Sequence, residues 1–307
     1  MSKNELSSTG RLSSAAQLFL STQRAAPSER SEANLLKLRA ATQAYIAPAV
    51  ERVLRSADVT TENVIVNNVP CLEVQPSVIT KPWKILYGFG GGFIQGSAFE
   101  DLTIAAPLSS MTGATVIIPS YRLAPEHPWP AAIDDGFAVY QALCDRPFAI
   151  VGESAGGNLA LALMLRAKQA GLNLPCAAAL LSPWCDLSIT SDSQSFNDGR
   201  DPTLTTQDSI MAAKLYAGKN NIANPDISPI NGDFDNSFPP FLITTGTRDL
   251  LLSLSVRLAS ILRKKGINVD LHVWEGLWHV FEWDDSLPES NESIKNIAAF
   301  LLRYIKQ

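Results

Sequence analysis

The chain has 307 residues, of which 46% are hydrophobic and 18% charged, and its formal net charge at pH 7 is −5. This composition is typical of a globular enzyme built as one large domain or a domain with a lid, and it argues against a disordered chain. The acidic balance and the lack of a basic block argue against nucleic acid as a partner.

The cysteines and the apolar runs indicate the compartment. The four cysteines have no C-x-x-C spacing and the chain has three histidines, which predicts free thiols, a reducing compartment and no bound metal. The polar N-terminus lacks a signal-peptide core, and the longest apolar run, residues 159–165, is far below the ~20 residues needed to cross a bilayer. We therefore expect a cytoplasmic protein without membrane contact.

The N-terminal part of the chain is first polar and then helical. Residues 1–30 are rich in serine and are expected to be mobile or loosely docked. Residues 31–56 have apolar positions at helical spacing, and Pro48 is expected to kink or break this helix. Residues 64–66 and 71–74 then flank Asn67-Asn68, which predicts an antiparallel hairpin.

After residue 82, short apolar runs alternate with helical patterns. Continuous apolar strands that alternate with helices predict an α/β fold, with a mostly parallel sheet flanked by helices on both faces. Ligands bind such sheets at the carboxyl ends of the strands. The predicted strands are residues 85–87, 116–118, 148–151, 177–181, 241–243 and 269–273, and the predicted helices are residues 131–143, 158–170, 252–265 and 293–305.

A long polar insertion interrupts this alternation. Residues 188–239 are rich in Asp, Asn, Ser and Pro, and they contain one helical stretch at residues 207–216. An insertion of this length between two strands is usually a lid or a binding loop. We expect it to pair with the N-terminal helices as a cap over the site.

A G-x-S-x-G pattern joins a predicted strand to a predicted helix. Residues 152–157 read Gly-Glu-Ser-Ala-Gly-Gly, and the serine is Ser154. The glycines allow a tight turn that holds the serine hydroxyl at a helix N-terminus, where backbone N–H groups are free. Because the pattern also occurs by chance, the candidate nucleophile needs a base, a residue that orients this base, and oxyanion donors elsewhere in the chain.

The base must be one of the three histidines. His272 lies inside an alternating strand, and His127 lies in a proline-rich loop. His279 follows the last predicted strand, so its position at a carboxyl edge favours it as the base. The alternative is that His279 only packs between Trp278 and Phe281.

The orienting residue and the oxyanion donors are expected at two other strand ends. Asp249 follows the strand at residues 241–243 and is the candidate carboxylate that orients the base, although it could instead cap the next helix. Residues 88–92 read Gly-Phe-Gly-Gly-Gly, and such a run lets backbone N–H groups approach a substrate. The alternatives are a flexible turn or a phosphate-binding loop, but no lysine follows at the spacing of a phosphate loop.

With these features in place, the chain from about residue 64 onward resembles the hormone-sensitive-lipase-like branch of the α/β-hydrolases, the bacterial family IV esterases. The order Ser154, Asp249, His279 is that of the superfamily. The resemblance implies that Ser154 is the nucleophile, His279 the general base and acid, and Asp249 the residue that orients His279. The motifs that carry it are Gly90-Gly91-Gly92-Phe93, residues 121–127 (Tyr-Arg-Leu-Ala-Pro-Glu-His), residues 152–157, Ser182-Pro183-Trp184, Asp249 and His279.

The resemblance also implies an oxyanion hole and a domain organisation. The donors would be the backbone N–H groups of Gly91, Gly92 and Ala155. Residues 1–60 and 188–230 would form a helical cap, and residues 61–187 and 231–307 the catalytic domain. The sequence departs from the family pattern at Phe89, where the motif has a histidine that braces the loop; Phe89 would brace it by packing instead.

The predicted activity is hydrolysis of carboxylic esters with short to medium acyl chains, through an acyl-enzyme and in a modest pocket. No cofactor or metal is expected, and the resemblance implies a homodimer. Hydrolysis of a lactone, carbamate or N-acyl bond with the same triad, and a non-catalytic small-molecule binding protein, are the alternatives; Leu250 after Asp249 is a weak sign of lactone hydrolysis. The predicted substrate-binding residues are Phe89, Phe93, Glu153, Trp184 and Trp278, and three further aromatic side chains could line the pocket, Trp129, Tyr216 and Phe281.

Overall fold

A central sheet of eight strands organises the computed structural model, which describes residues 12–22 and 32–305. The strand order is β1-β2-β4-β3-β5-β6-β7-β8. Strands β1, β2 and β4 pair antiparallel and all other neighbours pair parallel, so the predicted mostly parallel sheet is confirmed. The strands are β1 Val59–Val66, β2 Val69–Pro76, β3 Lys84–Gly88, β4 Thr115–Pro119, β5 Phe148–Glu153, β6 Ala177–Leu181, β7 Phe241–Gly246 and β8 Val269–Trp274.

Helices cover the sheet, and two groups of them pack together. Helices α2, α3 and α9 form one group, and α4 packs on α5, which lies against β5. All six residues of β5 are buried, as expected for a central parallel strand. The helices are α1 Ser14–Ser21, α2 Leu35–Ala57, α3 Leu102–Thr112, α4 Ala131–Leu143, α5 Ala155–Gln169, α6 Asp192–Phe196, α7 Thr206–Ala217, α8 Leu252–Lys264 and α9 Pro288–Tyr304.

The hairpin between β1 and β2 confirms the sequence prediction. Val66 pairs with Val69, so Asn67 and Asn68 form a two-residue turn. Both asparagines have positive φ, 44° and 66°, which is the backbone conformation that such a turn requires. The predicted helix at residues 131–143 matches α4, and the other predicted helices after residue 150 differ from the observed ones only at their ends.

Pro48 does not break the second helix. Helix α2 runs from Leu35 to Ala57 with Pro48 inside it. A proline inside a helix costs about 3 kcal/mol, but the buried face of α2, which includes Ile46, Val50 and Val53, gains more by packing on the core. Of the expected kink or break, the break is therefore wrong, because tertiary packing outweighs the local preference, and the kink stays a prediction.

Helices α1, α3 and α6 were not predicted. Helix α1 lies in the segment expected to be mobile or loosely docked, and it is docked: Phe19 stacks on Trp278 with ring centroids 4.1 Å apart, and the Ser13 N–H donates to Glu289. The rest of that prediction falls on residues outside 12–22 and 32–305. Helix α3 contains Pro107, which hides its helical pattern.

Three further expectations concern thiols, metals and membranes. The four cysteines, Cys71, Cys144, Cys176 and Cys185, are free thiols. Across residues 12–22 and 32–305, no group of histidine, cysteine and carboxylate side chains could hold a metal ion. Every helix in this part of the chain is too short or too polar to span a bilayer. The cytoplasmic location and the homodimer stay predictions.

Candidate active site

Ser154 lies in a sharp turn between β5 and α5. Its φ of 50° and ψ of −114° are strained for a residue with a side chain. Hydrogen bonds tie this turn to the end of β6: the Ser154 N–H donates to the Leu181 carbonyl and the Trp184 N–H donates to the Ser154 carbonyl, both at 2.9 Å. A Cβ atom at Gly156 would lie 1.9 Å from the Gly88 carbonyl oxygen, so only glycine lets α5 approach β3 this closely.

The turns after β7 and β8 bring two further side chains to the serine. His279 Nε2 lies 3.0 Å from Ser154 Oγ, and His279 Nδ1 lies 3.0 Å from Asp249 Oδ1. Since a carboxylate only accepts hydrogen bonds, Nδ1 carries the proton and the neutral ring presents Nε2 as an acceptor to the serine hydroxyl. The Thr245 hydroxyl (2.6 Å) and the Leu251 N–H (2.8 Å) also donate to Asp249, which fixes its orientation.

The pKa values of His279 and Asp249 follow from burial and from their contact. Burial opposes the charged form of each side chain, which would raise the pKa of Asp249 and lower that of His279. Their mutual attraction and hydrogen bond outweigh burial, so the pKa of Asp249 lies below its ordinary value and that of His279 above it. The site therefore favours an ion pair once His279 receives a proton.

The glycine loop after β3 lies beside the serine. Gly91 and Gly92 have positive φ, 97° and 64°, and the Gly91 carbonyl accepts from the N–H groups of Ile94 and Gln95. The N–H groups of Gly91 and Gly92 have no acceptor within residues 12–22 and 32–305. Ala155, the first residue of α5, has an N–H group of the kind that helices leave unpaired. Gly91 and Gly92 line the same cavity as Ser154, and Ala155 directly follows Ser154 in the chain.

Phe89 braces the glycine loop by packing. Its ring stacks on Tyr121 with centroids 4.0 Å apart and an interplanar angle of 6°. The Tyr121 hydroxyl donates to the Phe89 carbonyl oxygen at 2.7 Å. Ring and backbone of Phe89 are thus both held, which is the packing role that the sequence predicted for it.

A cavity of about 1020 Å³ opens above Ser154 and His279. It exceeds the modest pocket expected from the sequence and matches the upper end of small-molecule sites. Both halves of the predicted cap line it, with Tyr45 and Ile46 from α2 and Leu204 and Met211 from the insertion.

The predicted substrate-binding residues divide into two groups. Glu153, Trp184 and Trp278 line the cavity. Phe89 and Phe93 do not, because their buried rings pack behind the wall, Phe93 against Tyr216 at 3.9 Å. Of the additional aromatic candidates, the structure places three away from the lining, Trp129, Tyr216 and Phe281.

Sequence reasoning missed several buried carboxyl groups around the site. Asp101 lines the cavity and accepts hydrogen bonds from the Tyr87 hydroxyl (3.0 Å) and the Trp283 indole (3.1 Å). Burial raises the pKa of Asp101 to about 7. Asp201, in the insertion, contacts the turns of Asp249 and His279. No local pattern marks these residues, because their surroundings form only in the folded chain.

Burial is also the main influence on the pKa of Glu282, which follows the turn that carries His279. It raises the pKa of Glu282 to about 7, although the hydroxyls of Ser293 (2.8 Å) and Thr244 (3.1 Å) donate to Oε1. The Oε2 atom of Glu282 has no partner among the described residues. A protonated Glu282 avoids leaving an unpaired negative oxygen in the core.

Known proteins share this architecture. The model of the alpha/beta hydrolase fold family matches residues 85–283. An esterase of Acinetobacter venetianus is 35% identical over 223 residues, covering 70% of this chain and 73% of that protein. An acetyl-hydrolase of Streptomyces hygroscopicus is 33% identical over 223 residues, covering 71% and 74%.

Solved structures of esterases and lipases resemble this chain over nearly its whole length. A hormone-sensitive lipase from a metagenome library superposes with a TM-score of 0.84 at 33% identity and covers 95% of this chain and 97% of that one. The esterase EstE5, in crystals soaked with p-nitrophenyl butyrate, gives a TM-score of 0.85 at 29% identity, with 94% and 97% covered. The chain therefore belongs to the α/β-hydrolase family and, within it, to the hormone-sensitive-lipase-like, bacterial family IV esterases.

Proposed function

We propose that this protein is a carboxylesterase that hydrolyses esters of short to medium acyl chain length through an acyl-enzyme. The observation that carries the proposal is the hydrogen-bonded series from Asp249 through His279 to Ser154, with both contacts of the imidazole at 3.0 Å. Ser154 and His279 line the cavity, so an ester bound there can reach the hydroxyl.

In the proposed acylation, Ser154 Oγ attacks the carbonyl carbon of the ester while its proton moves to His279 Nε2. Asp249 holds the ring in position and stabilises the imidazolium. The backbone N–H groups of Gly91, Gly92 and Ala155 donate to the negative oxygen of the tetrahedral intermediate. The intermediate collapses when His279 returns the proton to the leaving alkoxide, which departs as an alcohol and leaves the acyl group on Ser154.

Deacylation repeats these steps with water. The oxygen of a water molecule attacks the acyl carbon while His279 Nε2 takes a proton from that water. The same backbone N–H groups donate to the second oxyanion. The intermediate then breaks its bond to Ser154 Oγ, which regains a proton from His279, and the acid leaves. Every proton that Nε2 accepts is returned within the cycle, so the site needs no other reactant than ester and water.

The substrate class rests on the cavity and on the relatives. The proposed cap comprises residues 1–60 and 188–230, and the proposed catalytic domain comprises residues 61–187 and 231–307. The cavity is apolar where Ile46 and Met211, from the two parts of the proposed cap, line it. One relative is named an acetyl-hydrolase, and one structural neighbour was soaked with p-nitrophenyl butyrate. Both favour small acyl groups, and the volume of the cavity leaves room for a bulkier alcohol.

Replacement of the nucleophile tests the proposal. Ser154→Ala should lower kcat for p-nitrophenyl acetate and butyrate by about 10⁴-fold or more, as loss of the nucleophile does in other serine hydrolases. Ser109→Ala is the matched control, since Ser109 is also buried but lies in α3, where its hydroxyl donates to the Val74 carbonyl of β2, away from the cavity. It should keep wild-type activity. Most of the activity remaining in a folded Ser154→Ala variant would refute the proposed role.

A panel of substrates then determines which type of bond the protein hydrolyses and which acyl chain length it prefers. Rates on p-nitrophenyl esters of increasing acyl length should peak at short or medium chains. Small lactones, carbamates and N-acyl compounds, tested beside them, should be poorer substrates. A serine-directed organophosphate should label Ser154 with a burst, whereas absence of labelling would identify a binding protein instead.

A further inference from the structure

Asp201 connects two turns of the chain. One is the acid turn, residues 247–251, which carries Asp249, and the other is the turn after β8, which carries His279. The Oδ2 atom of Asp201 accepts hydrogen bonds from the Leu250 N–H at 2.8 Å and the His279 N–H at 3.3 Å. Leu250 is the residue directly after Asp249, so one oxygen contacts the backbone of both turns. The side chain is buried, with 5% exposure for the residue, although it belongs to the polar insertion.

The second oxygen of Asp201 is tied to the insertion itself. Oδ1 accepts from the N–H and the hydroxyl of Thr203, both at 2.9 Å, and from the Leu204 N–H at 3.3 Å. Two other insertion side chains hold the same acid turn: Asn197 donates to the Asp249 carbonyl at 2.8 Å, and the Ser193 hydroxyl donates to the Leu250 carbonyl at 2.8 Å. Three side chains of the insertion therefore form hydrogen bonds with the acid turn, and one of them, Asp201, also accepts a hydrogen bond from the His279 N–H.

Asp201 also adds charge beside the imidazole. The carboxyl groups that face His279 are Asp249 from the turn after β7, Asp201 from the insertion, and Glu282 from the segment that follows His279. Burial and the nearby Asp249 charge raise the pKa of Asp201, while a positive His279 lowers it. The Asp201 carboxylate is thus most favoured when His279 is protonated, which is the state formed during acyl transfer.

We propose that Asp201 is a positioning residue for the triad, which aligns the backbone of Asp249 and His279 and supplies a second negative charge to the imidazolium. This inference rests on the proposed function, because it assigns Asp201 a part in the reaction of Ser154 and His279. In this role Asp201, although it is among the residues that line the cavity, acts through His279 and the acid turn.

The variant Asp201→Asn separates this role from simple packing. Both carboxylate oxygens accept from backbone N–H groups, so an amide must turn its NH₂ toward one set of donors, and the negative charge is lost as well. For p-nitrophenyl acetate we expect kcat to fall about 10- to 100-fold with KM within about threefold, since the effect acts on the transition state. The acid limb of kcat/KM should move to lower pH by about half a unit, because loss of a nearby negative charge lowers the pKa of His279.

The control is Asp186→Asn. Asp186 is another buried aspartate near the start of the insertion, with 6% exposure, and it accepts from Ser188 and faces Arg257 outside the cavity lining. This variant should keep the wild-type kcat and acid limb even if it lowers the melting temperature. Asp201→Ser, in which water can replace the lost oxygens, serves if Asp201→Asn fails to fold, and the same shift is expected.

The outcomes are distinct. A folded Asp201 variant with unchanged kcat and unchanged acid limb overturns the inference, and so does a loss of kcat without movement of the limb, since that is the behaviour of a residue that only supports the fold. These measurements are made on an enzyme whose activity has been lost in Ser154→Ala. If Ser154→Ala keeps its activity, the proposed function fails by itself, and Asp201 has no triad to position.

Discussion

Replacing Phe89 should reveal how the glycine loop keeps its shape. The Phe89 ring is 2% exposed, stacks on Tyr121 and touches the far side of the loop, where a Cβ atom at Gly96 would lie 3.2 Å from Phe89 Cδ2. Phe89→Ala leaves a cavity beneath the Gly91 and Gly92 N–H groups. The free energy of unfolding should fall by about 3–5 kcal/mol, the range for truncating a buried phenylalanine.

Phe89→His asks a finer question, because the family motif has histidine at this position. An imidazole can still stack on Tyr121, but it becomes a buried polar ring in the place of an apolar one. We expect a loss of about 1–3 kcal/mol in unfolding free energy. Since the Phe89 carbonyl stays bonded to the Tyr121 hydroxyl, kcat/KM should remain within about tenfold of wild type.

The assay pairs urea unfolding with kcat for p-nitrophenyl butyrate at a temperature where all variants are folded. Phe89→Ala should lower kcat as well as stability, since movement of the loop displaces oxyanion donors that are worth about 3–4 kcal/mol each. Phe300→Ala, which empties a similarly buried site in α9, should lose stability but keep kcat. Full activity in Phe89→Ala would refute the argument that stacking braces the donors, whereas a collapsed Phe89→His would show that the loop needs the phenyl ring itself and would contradict only the expected tolerance of histidine.

Three other substitutions test the carboxyl cluster, the turn and the cap. Glu282 binds its proton more tightly in the folded protein, where its pKa is about 7, than at its ordinary value of 4.5, so its contribution to stability is lost as pH rises through this interval. In urea unfolding, Glu282→Gln should make the free energy of unfolding less dependent on pH and raise it by at most about 3 kcal/mol at pH 8. An unchanged dependence of this free energy on pH would contradict the raised pKa of Glu282. Gly156→Ala should not fold, as circular dichroism would show, because its Cβ would lie 1.9 Å from the Gly88 carbonyl oxygen, and a native melting temperature would disprove this close approach. Arg39→Ala, which removes the hydrogen bond from α2 to the Ile94 carbonyl at 2.8 Å, should raise KM several-fold with kcat nearly unchanged, and an unaltered KM would show that α2 docks without it.

The hydrogen-bonded arrangement of Ser154, His279 and Asp249 was predictable because a parallel sheet places the carboxyl ends of its strands along one edge. Ser154, Asp249 and His279 each follow an apolar run, and those runs are β5, β7 and β8. The rule that ligands bind at this edge therefore selected His279 over His272, which lies within β8. The order of strands in the sheet was not needed for this inference.

The aromatic residues of the site were harder to assign. Phe93 and Trp184 both adjoin predicted site residues, yet Phe93 packs on Tyr216 behind the wall and Trp184 lines the cavity. Which way a ring turns depends on partners distant in sequence, and Tyr216 comes from the insertion. Similarly, Pro48 favours a break in isolation, and only the packing of α2 shows why the helix continues.

Asp201 could not be singled out from the sequence, because the insertion contains other aspartates that look the same in sequence but differ from Asp201 in burial. Asp192 and Asp198 are exposed, whereas Asp201 is 5% exposed. The partners of its carboxylate include Leu250 and His279, which are 49 and 78 residues away. Separations of this size leave no periodic pattern, so the role of such a residue is visible only in the folded chain.

The position of Asp201 gives the insertion a second task beside covering the cavity. The acid turn joins β7 to α8, and several backbone groups of such a turn can accept or donate hydrogen bonds beyond those within the turn. The insertion supplies partners for these groups through Ser193, Asn197 and Asp201, while nearby insertion residues such as Leu204 line the cavity. Substitutions that reshape this wall are therefore expected to disturb the alignment of His279 as well, so changes in substrate range and in kcat should occur together.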